Sequence, residues 1–285
     1  MQSIVVTGTS TGIGWGTAKV LLDRGFRVFG SVRKQVDADR LQKEFGSNFV
    51  PLLFDITDEA KVLSAARFVR EALKGATLRG LVNNAGIAVS GPALELSIDD
   101  YRRQMEVNVI GQIVVTQAFA PLLGADRSLR GAPGRIAMIS SVSGKNGNPL
   151  LSPYCTSKHA IEGFSDSIRR EFMLFGIDVI VIGPGAVKMP IWAKAGEVDI
   201  SAYRNSPFFP ALQRIRDYML KLGESALPAE KIGELVYQAL TSPRPRVRYS
   251  ISPEPVQLLI GRMLPTRMLD RIVAKRLGLL PRSGS

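Results

Sequence analysis

A tyrosine and a lysine four positions apart are the residues in this chain best suited to move a proton. Tyr154 and Lys158 lie in a segment predicted to be helical, residues 154–175, so their side chains share one face of the helix. A tyrosine with a pKa of about 10 is a poor base at neutral pH, but a neighbouring ammonium stabilises its phenolate and lowers that pKa. The pair could therefore serve as a general acid and base. A chance pairing on an amphipathic helix is the alternative.

A glycine-rich turn near the N-terminus has the composition of a phosphate-binding loop. Residues 7–14 read Thr-Gly-Thr-Ser-Thr-Gly-Ile-Gly and follow a predicted strand. Glycines let the backbone turn tightly and approach a pyrophosphate, whose charge is favoured at a helix N-terminus. The residues predicted to bind it are Gly8, Ser10, Thr11, Gly12, Ile13 and Gly14. A purely structural turn is the alternative.

Short apolar runs alternate with helix-like segments through the first two thirds of the chain. Strands are predicted at residues 4–7, 26–30, 49–55, 80–83, 135–140 and 178–183, with helices at 60–73, 101–123 and 154–175. This alternation favours right-handed crossovers and a parallel sheet covered on both faces. We expect an α/β fold with one doubly wound Rossmann-type domain over residues 1–255. Within it, residues 189–222 are predicted to form a substrate-covering helical insert, and 243–255 a proline- and arginine-rich connection.

The composition excludes several other classes of protein. With 285 residues, of which 45% are hydrophobic and 22% charged, the chain is globular rather than disordered. Its one cysteine, Cys155, and one histidine, His159, exclude an internal disulfide and multi-histidine or cysteine-rich metal centres, and we expect both to be structural. Apolar residues begin at Ile4, which argues against a signal peptide, and we expect no membrane-spanning helix. A metal-free, cytoplasmic protein is predicted.

Together, these motifs resemble the short-chain dehydrogenase/reductase family. The matching segments are the glycine turn, Asn83-Asn84-Ala85-Gly86, Asn108-Val109-Ile110-Gly111, Ser140-Ser141, Tyr154-Cys155-Thr156-Ser157-Lys158 and Pro184-Gly185. They occur in the family's order between residues 4 and 190. The resemblance implies an oxidoreductase that transfers a hydride between a nicotinamide cofactor and an alcohol or ketone. In such an enzyme Tyr154 is the acid in ketone reduction and the base in alcohol oxidation.

The resemblance also assigns roles to other residues. Ser141 would hold the substrate oxygen beside Tyr154 and polarise it. Asn108 would belong to a water relay that resupplies protons through Lys158, which also bonds to the nicotinamide ribose. Asp55 matches the family position that contacts adenine. The remaining cofactor contacts implied are Ile56, Asn83, Ala85, Gly86, Pro184, Gly185 and Val187.

The residues after the second predicted strand indicate which nicotinamide cofactor is used. An acid there would bind the adenosine ribose and repel a 2′-phosphate, but the chain has Arg33 and Lys34 instead. A guanidinium pairs well with phosphate, so we predict a preference for NADP(H) with Arg33 as the main contact, and NAD(H) as the alternative. A solvated Arg33 is the competing interpretation. Met189 stands where many relatives have a threonine that holds the nicotinamide amide.

The second half of the chain suggests the substrate and the surroundings of the protein. The insert at 189–222 is rich in aromatic and methionine residues, which suits a lipophilic alcohol or ketone of the retinoid or steroid kind, although these residues could equally pack on the core. The net charge is +12, and residues 244–285 carry nine basic side chains against two acidic ones. Residues 256–285 are predicted to form a basic amphipathic extension, which is helical over 256–280 and broken at Pro265.

Such a helix could rest on anionic lipid, dock onto its own domain or a second subunit, or simply be solvated. No nucleic-acid partner is expected, and we expect a homo-oligomer, dimer or tetramer. Two further hypotheses remain at this point. One is an NADP(H)-binding sensor without turnover, against which the Ser141, Tyr154 and Lys158 set argues. The other is a membrane-surface or nucleic-acid-binding protein led by the basic tail.

Overall fold

Seven parallel strands form the central sheet of the computed structural model, which describes residues 1–188 and 200–281. The strands are β1 (Ser3–Val6), β2 (Arg27–Val32), β3 (Phe49–Leu53), β4 (Gly80–Asn83), β5 (Arg135–Ile139), β6 (Asp178–Pro184) and β7 (Arg248–Ile251). Their spatial order is β3-β2-β1-β4-β5-β6-β7, so the order in which the chain adds strands reverses between β1 and β4. In doubly wound sheets, ligands bind outside the carboxyl ends of the strands at this reversal.

Ten α-helices lie among the described residues, and most of them cover the two faces of the sheet. They are α1 (Gly12–Asp23), α2 (Gln35–Phe45), α3 (Glu59–Leu73), α4 (Ile98–Met105), α5 (Gly111–Phe119), α6 (Ser152–Glu171), α7 (Phe209–Glu224), α8 (Ala229–Thr241), α9 (Pro255–Met263) and α10 (Thr266–Leu277). A π-helical turn, Glu106–Ile110, joins α4 to α5, so the predicted long helix is present but not uniform. The α/β fold with a parallel sheet is therefore confirmed.

The alternation of side chains along each strand produces two separate cores. Ile4 and Val6 of β1 face α1, α2 and α8, whereas Val5 between them faces α3, α5 and α6. All three side chains are fully buried. At Gly16 an added Cβ would lie 2.6 Å from the Ala229 carbonyl carbon, so a glycine is needed where α1 and α8 cross. This close crossing sets the position of α1 relative to α8.

The stretch Ile98–Leu123 is the one candidate in the described residues for a membrane-spanning helix by length and composition. Its mean hydropathy is 1.3, but 56% of the most apolar window is buried within the protein. Val115 and Phe119, both fully buried, pack in the core beneath the sheet. The apolar character of this stretch is therefore that of a core helix.

The prediction that residues 243–255 form only a connection was wrong. Residues 248–251 form β7, which pairs with β6 from Val181↔Arg248 to Pro184↔Ile251. Prolines flank this strand at 243, 245, 253 and 255, outside its paired residues, where they do not break the hydrogen-bond ladder. The strand was missed because its alternation of polar and apolar residues, Arg-Tyr-Ser-Ile, is only four residues long and lies among prolines.

The insert and the tail come together above the sheet. Of the predicted insert, residues 189–199, including Met189, lie outside the described residues. Ile200, Phe208 and Leu212 cluster with Leu150 and with Leu279 from the tail, apart from the two cores. The aromatic residues of the described part of the insert therefore pack on the loop before α6 rather than on the sheet. The tail forms α9 and α10 on either side of Pro265, and α10 packs against α7.

Candidate active site

The carboxyl ends of β5 and β6 and the start of α6 bring the predicted catalytic residues together. Ser141 follows β5, is 7% exposed and bonds to the Tyr154 phenol. Its hydroxyl also accepts the Ser143 N–H at 3.1 Å and lies 3.5 Å from the Pro184 carbonyl. The serine is thus held between the two strand ends, beside the tyrosine.

Lys158 lies under Tyr154 on the same face of α6, as the four-residue spacing predicts. Its side chain is 5% exposed, its ammonium lies 5.7 Å from the centre of the Tyr154 ring, and it donates to the Ile139 carbonyl at 2.9 Å. Burial lowers the pKa of Lys158 to about 8, while the negative charge of Glu162 acts in the opposite direction. The lysine is therefore an ammonium at neutral pH that can lose its proton at mildly alkaline pH.

The environment of Tyr154 differs from the expectation that its pKa is lowered. Burial raises the pKa of Tyr154, and the hydrogen bond from Ser141 opposes this only in part. The Lys158 ammonium bonds to a backbone carbonyl rather than to the phenolic oxygen. In the protein alone, the phenol is consequently a proton donor at neutral pH, and its deprotonation requires positive charge from another source.

Asn108 is fully buried beside these residues, in the π-helical turn between α4 and α5. Its Oδ1 accepts the Ile87 N–H at 2.8 Å, and its Nδ2 donates to the Ile87 carbonyl at 2.9 Å and to Ser157 at 3.1 Å. Gln104, one turn earlier, accepts the Val89 N–H through Oε1 and donates to the Ile87 carbonyl through Nε2. The two amides fix the loop after β4, and the Asn108 side chain reaches Ser157 rather than Lys158.

The glycine turn occupies the end of β1, as predicted. Gly8 and Gly12 have positive φ angles of 70° and 60°, which favour glycine, and an added Cβ at Gly14 would overlap the Gly8 carbonyl. Within the described chain, the side chain of the N-cap Thr11 makes no capping hydrogen bond, so the first turn of α1 keeps N–H groups for an anion.

A cavity of about 480 Å³ adjoins this helix start. Its walls include Ser10, Thr11 and Gly12 of the turn, the cations Arg40 and Lys188, and the carboxylates of Glu44, which pairs with Arg40, and Glu230. A helix N-terminus beside two cations is a setting in which a diphosphate binds. The residues present therefore fit a dinucleotide.

Other predicted cofactor contacts are placed at the same edge of the sheet. Arg33 and Asp55 follow β2 and β3, and their side chains lie 3.8 Å apart, with Arg33 72% exposed. Ala85 and Gly86 follow β4, next to Gly8 and Asn108 respectively. The segment 184–188, which contains Pro184, Gly185 and Val187, is held by a Gly185 N–H bond to the Ile251 carbonyl and by a bridge from Val187 to Leu227.

Two of the predicted contacts turn their side chains into the core. The Asn83 amide donates to Thr116 at 2.8 Å and to the Met138 sulfur at 3.1 Å and is fully buried. Ile56 is 4% exposed and packs within the core beneath the sheet. Any contact of either residue with a cofactor must therefore come from its backbone.

Several residues of the site were not singled out from the sequence. Asn84 donates to the carbonyls of Thr7 and Gly8 at 2.8 and 3.1 Å, which ties the glycine turn to β4. It stands in the quoted motif, so the signal was present. Arg40 donates to the Ser10 carbonyl at 2.7 Å. This residue lies on α2, a helix that was not predicted from the sequence. Arg248 donates to the Ser141 carbonyl at 3.2 Å, and nothing local in the sequence indicates this.

His159 and Cys155, which were expected to be structural, make contacts within their own helix. The His159 ring donates from Nδ1 to the Cys155 carbonyl at 2.8 Å, and Cys155 is buried. In the described residues no group of three or more His, Cys, Asp or Glu side chains could hold a metal ion.

Comparison with known proteins agrees with this geometry. The short chain dehydrogenase family model matches residues 2–199. An NADPH-dependent 3-dehydrocapnine reductase from Ornithobacterium rhinotracheale is 36% identical, covering 97% of this chain and 98% of its own, and human retinol dehydrogenase 5 is 34% identical, covering 95% and 87%. A short-chain dehydrogenase from Streptomyces avermitilis has the same fold, with a TM-score of 0.76 at 22% identity and 97% of each chain covered. The chain belongs to the short-chain dehydrogenase family of oxidoreductases.

Proposed function

We propose that this protein is an NADP(H)-dependent oxidoreductase that acts on a lipophilic secondary alcohol or ketone. The observation that carries the proposal is the Ser141, Tyr154 and Lys158 constellation, buried where the strands of the sheet end beside the glycine turn. An NADP(H)-binding sensor would have no use for it. The family, the fold and the helix start at Gly12 supply the setting.

The chain's own residues have distinct parts in ketone reduction. Ser141 donates a hydrogen bond to the substrate oxygen and holds it beside Tyr154. Tyr154, whose pKa is raised by burial, gives its phenolic proton to that oxygen as the alcohol forms. Lys158 keeps a positive charge beneath the phenol and stabilises the phenolate that remains. When bound, the reduced nicotinamide supplies the hydride to the carbonyl carbon.

The preference for the phosphorylated cofactor is proposed from the cations near the adenosine end. Arg33 follows β2 where an acid would repel a 2′-phosphate, and Arg40 lies across the turn at Ser10. The name of the relative from Ornithobacterium rhinotracheale, an NADPH-dependent reductase, supports the same choice. Contacts from Asp55, from the backbone of Ile56 and Asn83, and from the 184–188 segment stay predictions.

The lipophilic substrate is proposed from the described part of the insert. Its apolar cluster lies on Leu150, four residues before Tyr154, and Tyr203 reaches the Gly91 loop. An apolar cover excludes water and leaves the carbonyl as the one polar handle. The similarity to retinol dehydrogenase 5 favours this class of substrate.

A substrate series tests both proposals. NADPH oxidation would be followed by absorbance with ketones of increasing chain length, and each methylene buried is expected to raise kcat/KM roughly fourfold, from about 0.8 kcal/mol. Tyr154→Phe should lower kcat by about 10²–10⁴-fold with little effect on NADPH affinity. Unchanged turnover in this variant would remove Tyr154 as the acid.

Equal affinity of the wild type for NADPH and NADH would refute the cofactor preference. In Arg33→Ala the affinities for NADPH and NADH should become more similar.

We also propose that the tail contacts anionic membrane surfaces. Val256, Ile260 and Met263 share one face of α9 and are 65%, 52% and 77% exposed, and Met268 and Ile272 of α10 are about half exposed. α10 carries four basic residues and one acidic residue. Exposed apolar groups beside basic ones match an anionic lipid surface. Cytoplasmic location and a homo-oligomeric state stay predictions.

Vesicle co-sedimentation of the full chain tests the tail. Binding is expected to anionic but not zwitterionic vesicles, and to be lost in Ile260→Ser/Ile272→Ser. The matched control replaces Val36, which is 69% exposed on α2, by Ser. Equal binding of the double variant and the wild type, or loss of a dimer rather than of vesicle binding, would overturn the membrane assignment.

A further inference from the structure

A buried cluster of charged side chains lies behind the catalytic residues, and the reaction proposed above does not use it. Glu162 follows Lys158 by one helical turn on α6, and its side chain is only 8% exposed. Its carboxylate pairs with Arg248 of β7 through one oxygen and with Lys145 at 3.3 Å through the other. Of these three residues, only Arg248 comes from an element far from α6 in the sequence.

Arg248 connects this cluster to the main chain of the catalytic serine. Its Nη2 donates to the Ser141 carbonyl at 3.2 Å, and its Nε donates to Ser250 at 3.1 Å. The side chain of Arg248 is 19% exposed, so its contacts are shielded from solvent. The guanidinium therefore spans from the edge strand to the residue that orients the substrate.

The backbone around the cluster is shaped to admit it. An added Cβ at Gly183 of β6 would overlap the Arg248 guanidinium, and one at Gly144 would lie 3.0 Å from the Glu162 carboxylate. Both glycines have ordinary backbone angles among the described residues, so space rather than conformation is what they provide. Partially desolvated charges are costly unless they are paired. Besides their contact with each other, Glu162 and Arg248 have contacts with Lys145, Ser250 and the Ser141 carbonyl that offset this cost.

We propose that Glu162 and Arg248 are positioning residues for the reaction, with Arg248 fixing the main chain at Ser141 and Glu162 holding Lys158 in its charged form. The inference rests on the proposed function, since it assigns these two residues to the same site. Burial alone lowers the pKa of Lys158, and Glu162 is the charge that acts against this. Among the described residues, the charged groups facing Glu162 are Arg248 and Lys145, and the titratable group beside Lys158 is Tyr154.

The first experiment measures the ionisation of Lys158 without turnover. Protein with isotope-labelled lysine side-chain nitrogens would be titrated by NMR in the absence of cofactor, and Lys158→Met would identify the signal. In Glu162→Gln, the titration midpoint of Lys158 should move to lower pH, by about one pH unit or more. The matched control is Glu234→Gln, which breaks an exposed ion pair with Arg24 and should leave the titration unchanged.

The second experiment measures the effect of Arg248 on catalysis. Arg248→Lys keeps the charge beside Glu162 but loses the Nη2 hydrogen bond to the Ser141 carbonyl, so kcat should fall by about tenfold to a hundredfold. The alkaline limb of its kcat profile should stay where it is in the wild type. In Glu162→Gln that limb should move to lower pH, in parallel with the NMR titration. A role in stability alone would move neither the limb nor the Lys158 titration.

Specific outcomes would overturn the proposal. A wild-type Lys158 titration in Glu162→Gln removes the role of Glu162, and a wild-type kcat in Arg248→Lys removes that of Arg248. Should a single variant fail to fold, Glu162→Leu/Arg248→Met removes both charges together, and it must show both the shifted titration and the reduced kcat. If the wild type turns over no ketone, the proposed function fails, yet the NMR titration still decides the part assigned to Glu162.

Discussion

Replacing Lys158 by Met is expected to stabilise the folded protein at neutral pH while it abolishes the site. The lysine is 5% exposed, and among the residues that the structure describes its ammonium has one hydrogen bond, to the Ile139 carbonyl. Burial lowers the pKa of Lys158 from 10.5 to about 8. The folded protein therefore holds a charge that the unfolded chain solvates far better, and methionine has a similar shape without the charge.

The magnitude follows from these two pKa values. One pH unit corresponds to about 1.4 kcal/mol, so the interval between about 8 and 10.5 amounts to about 3 kcal/mol of lost stability below pH 8. Between these values the unfolded chain binds more protons than the folded one, so stability rises with pH and the penalty disappears above 10.5. The lost hydrogen bond costs about 1 kcal/mol, which leaves Lys158→Met more stable by about 2 kcal/mol at pH 7.

Denaturant unfolding of the cofactor-free protein at several pH values checks this expectation. The free energy of unfolding of the variant should exceed that of the wild type at pH 7, and the difference should shrink through the alkaline range and reverse. Lys43→Met, on the exposed side of α2, is the matched control and should show no such trend. A difference between Lys158→Met and the wild type that does not change with pH would refute the reasoning, because it would mean that Lys158 is not a buried ammonium.

Other contacts lead to equally direct expectations. Gly14→Ala places a Cβ onto the Gly8 carbonyl, so the glycine turn must shift, and we expect a loss of about 1–3 kcal/mol in unfolding free energy together with weaker NADPH binding, measured by denaturation and by fluorescence titration. Asn108→Ala leaves both the N–H and the carbonyl of Ile87 without their buried partner, which should cost about 2 kcal/mol and lower kcat; unchanged stability would show that water replaces the amide. Arg40→Gln should weaken NADPH binding about tenfold at low salt and less at high salt, whereas equal binding at both would remove Arg40 from the phosphate site.

Much of the fold and site follows from short-range patterns. β1 shows its two-residue alternation in Ile4, Val5 and Val6, and the glycine turn follows it directly, so strand, turn and helix could be placed from local sequence. The spacing of Tyr154 and Lys158 similarly fixes a shared helix face, because a helix repeats every 3.6 residues. In these cases the physical cause of the structure lies within a few residues of the signal.

The features that were missed depend on contacts between distant segments. β7 is a strand because β6 offers it a hydrogen-bonding edge, whereas its own residues, Arg248–Ile251, give only a four-residue alternation between flanking prolines. The core-facing side chain of Asn83 likewise depends on Thr116 and Met138, which come from other elements. A motif marks where such a residue stands in the chain, but the direction of its side chain is set by packing that the motif does not contain.

The same distinction applies to the acid-base pair itself. Its spacing predicts that Tyr154 and Lys158 meet, but burial pushes each toward its neutral form, raising the pKa of the phenol and lowering that of the ammonium. A neutral phenol suits the donation of a proton to a ketone, whereas a neutral lysine would give the resulting phenolate no support. The site therefore needs a negative charge close to the lysine but away from the phenol, and Glu162, on the next turn of the same helix and paired with Arg248, is placed to supply it.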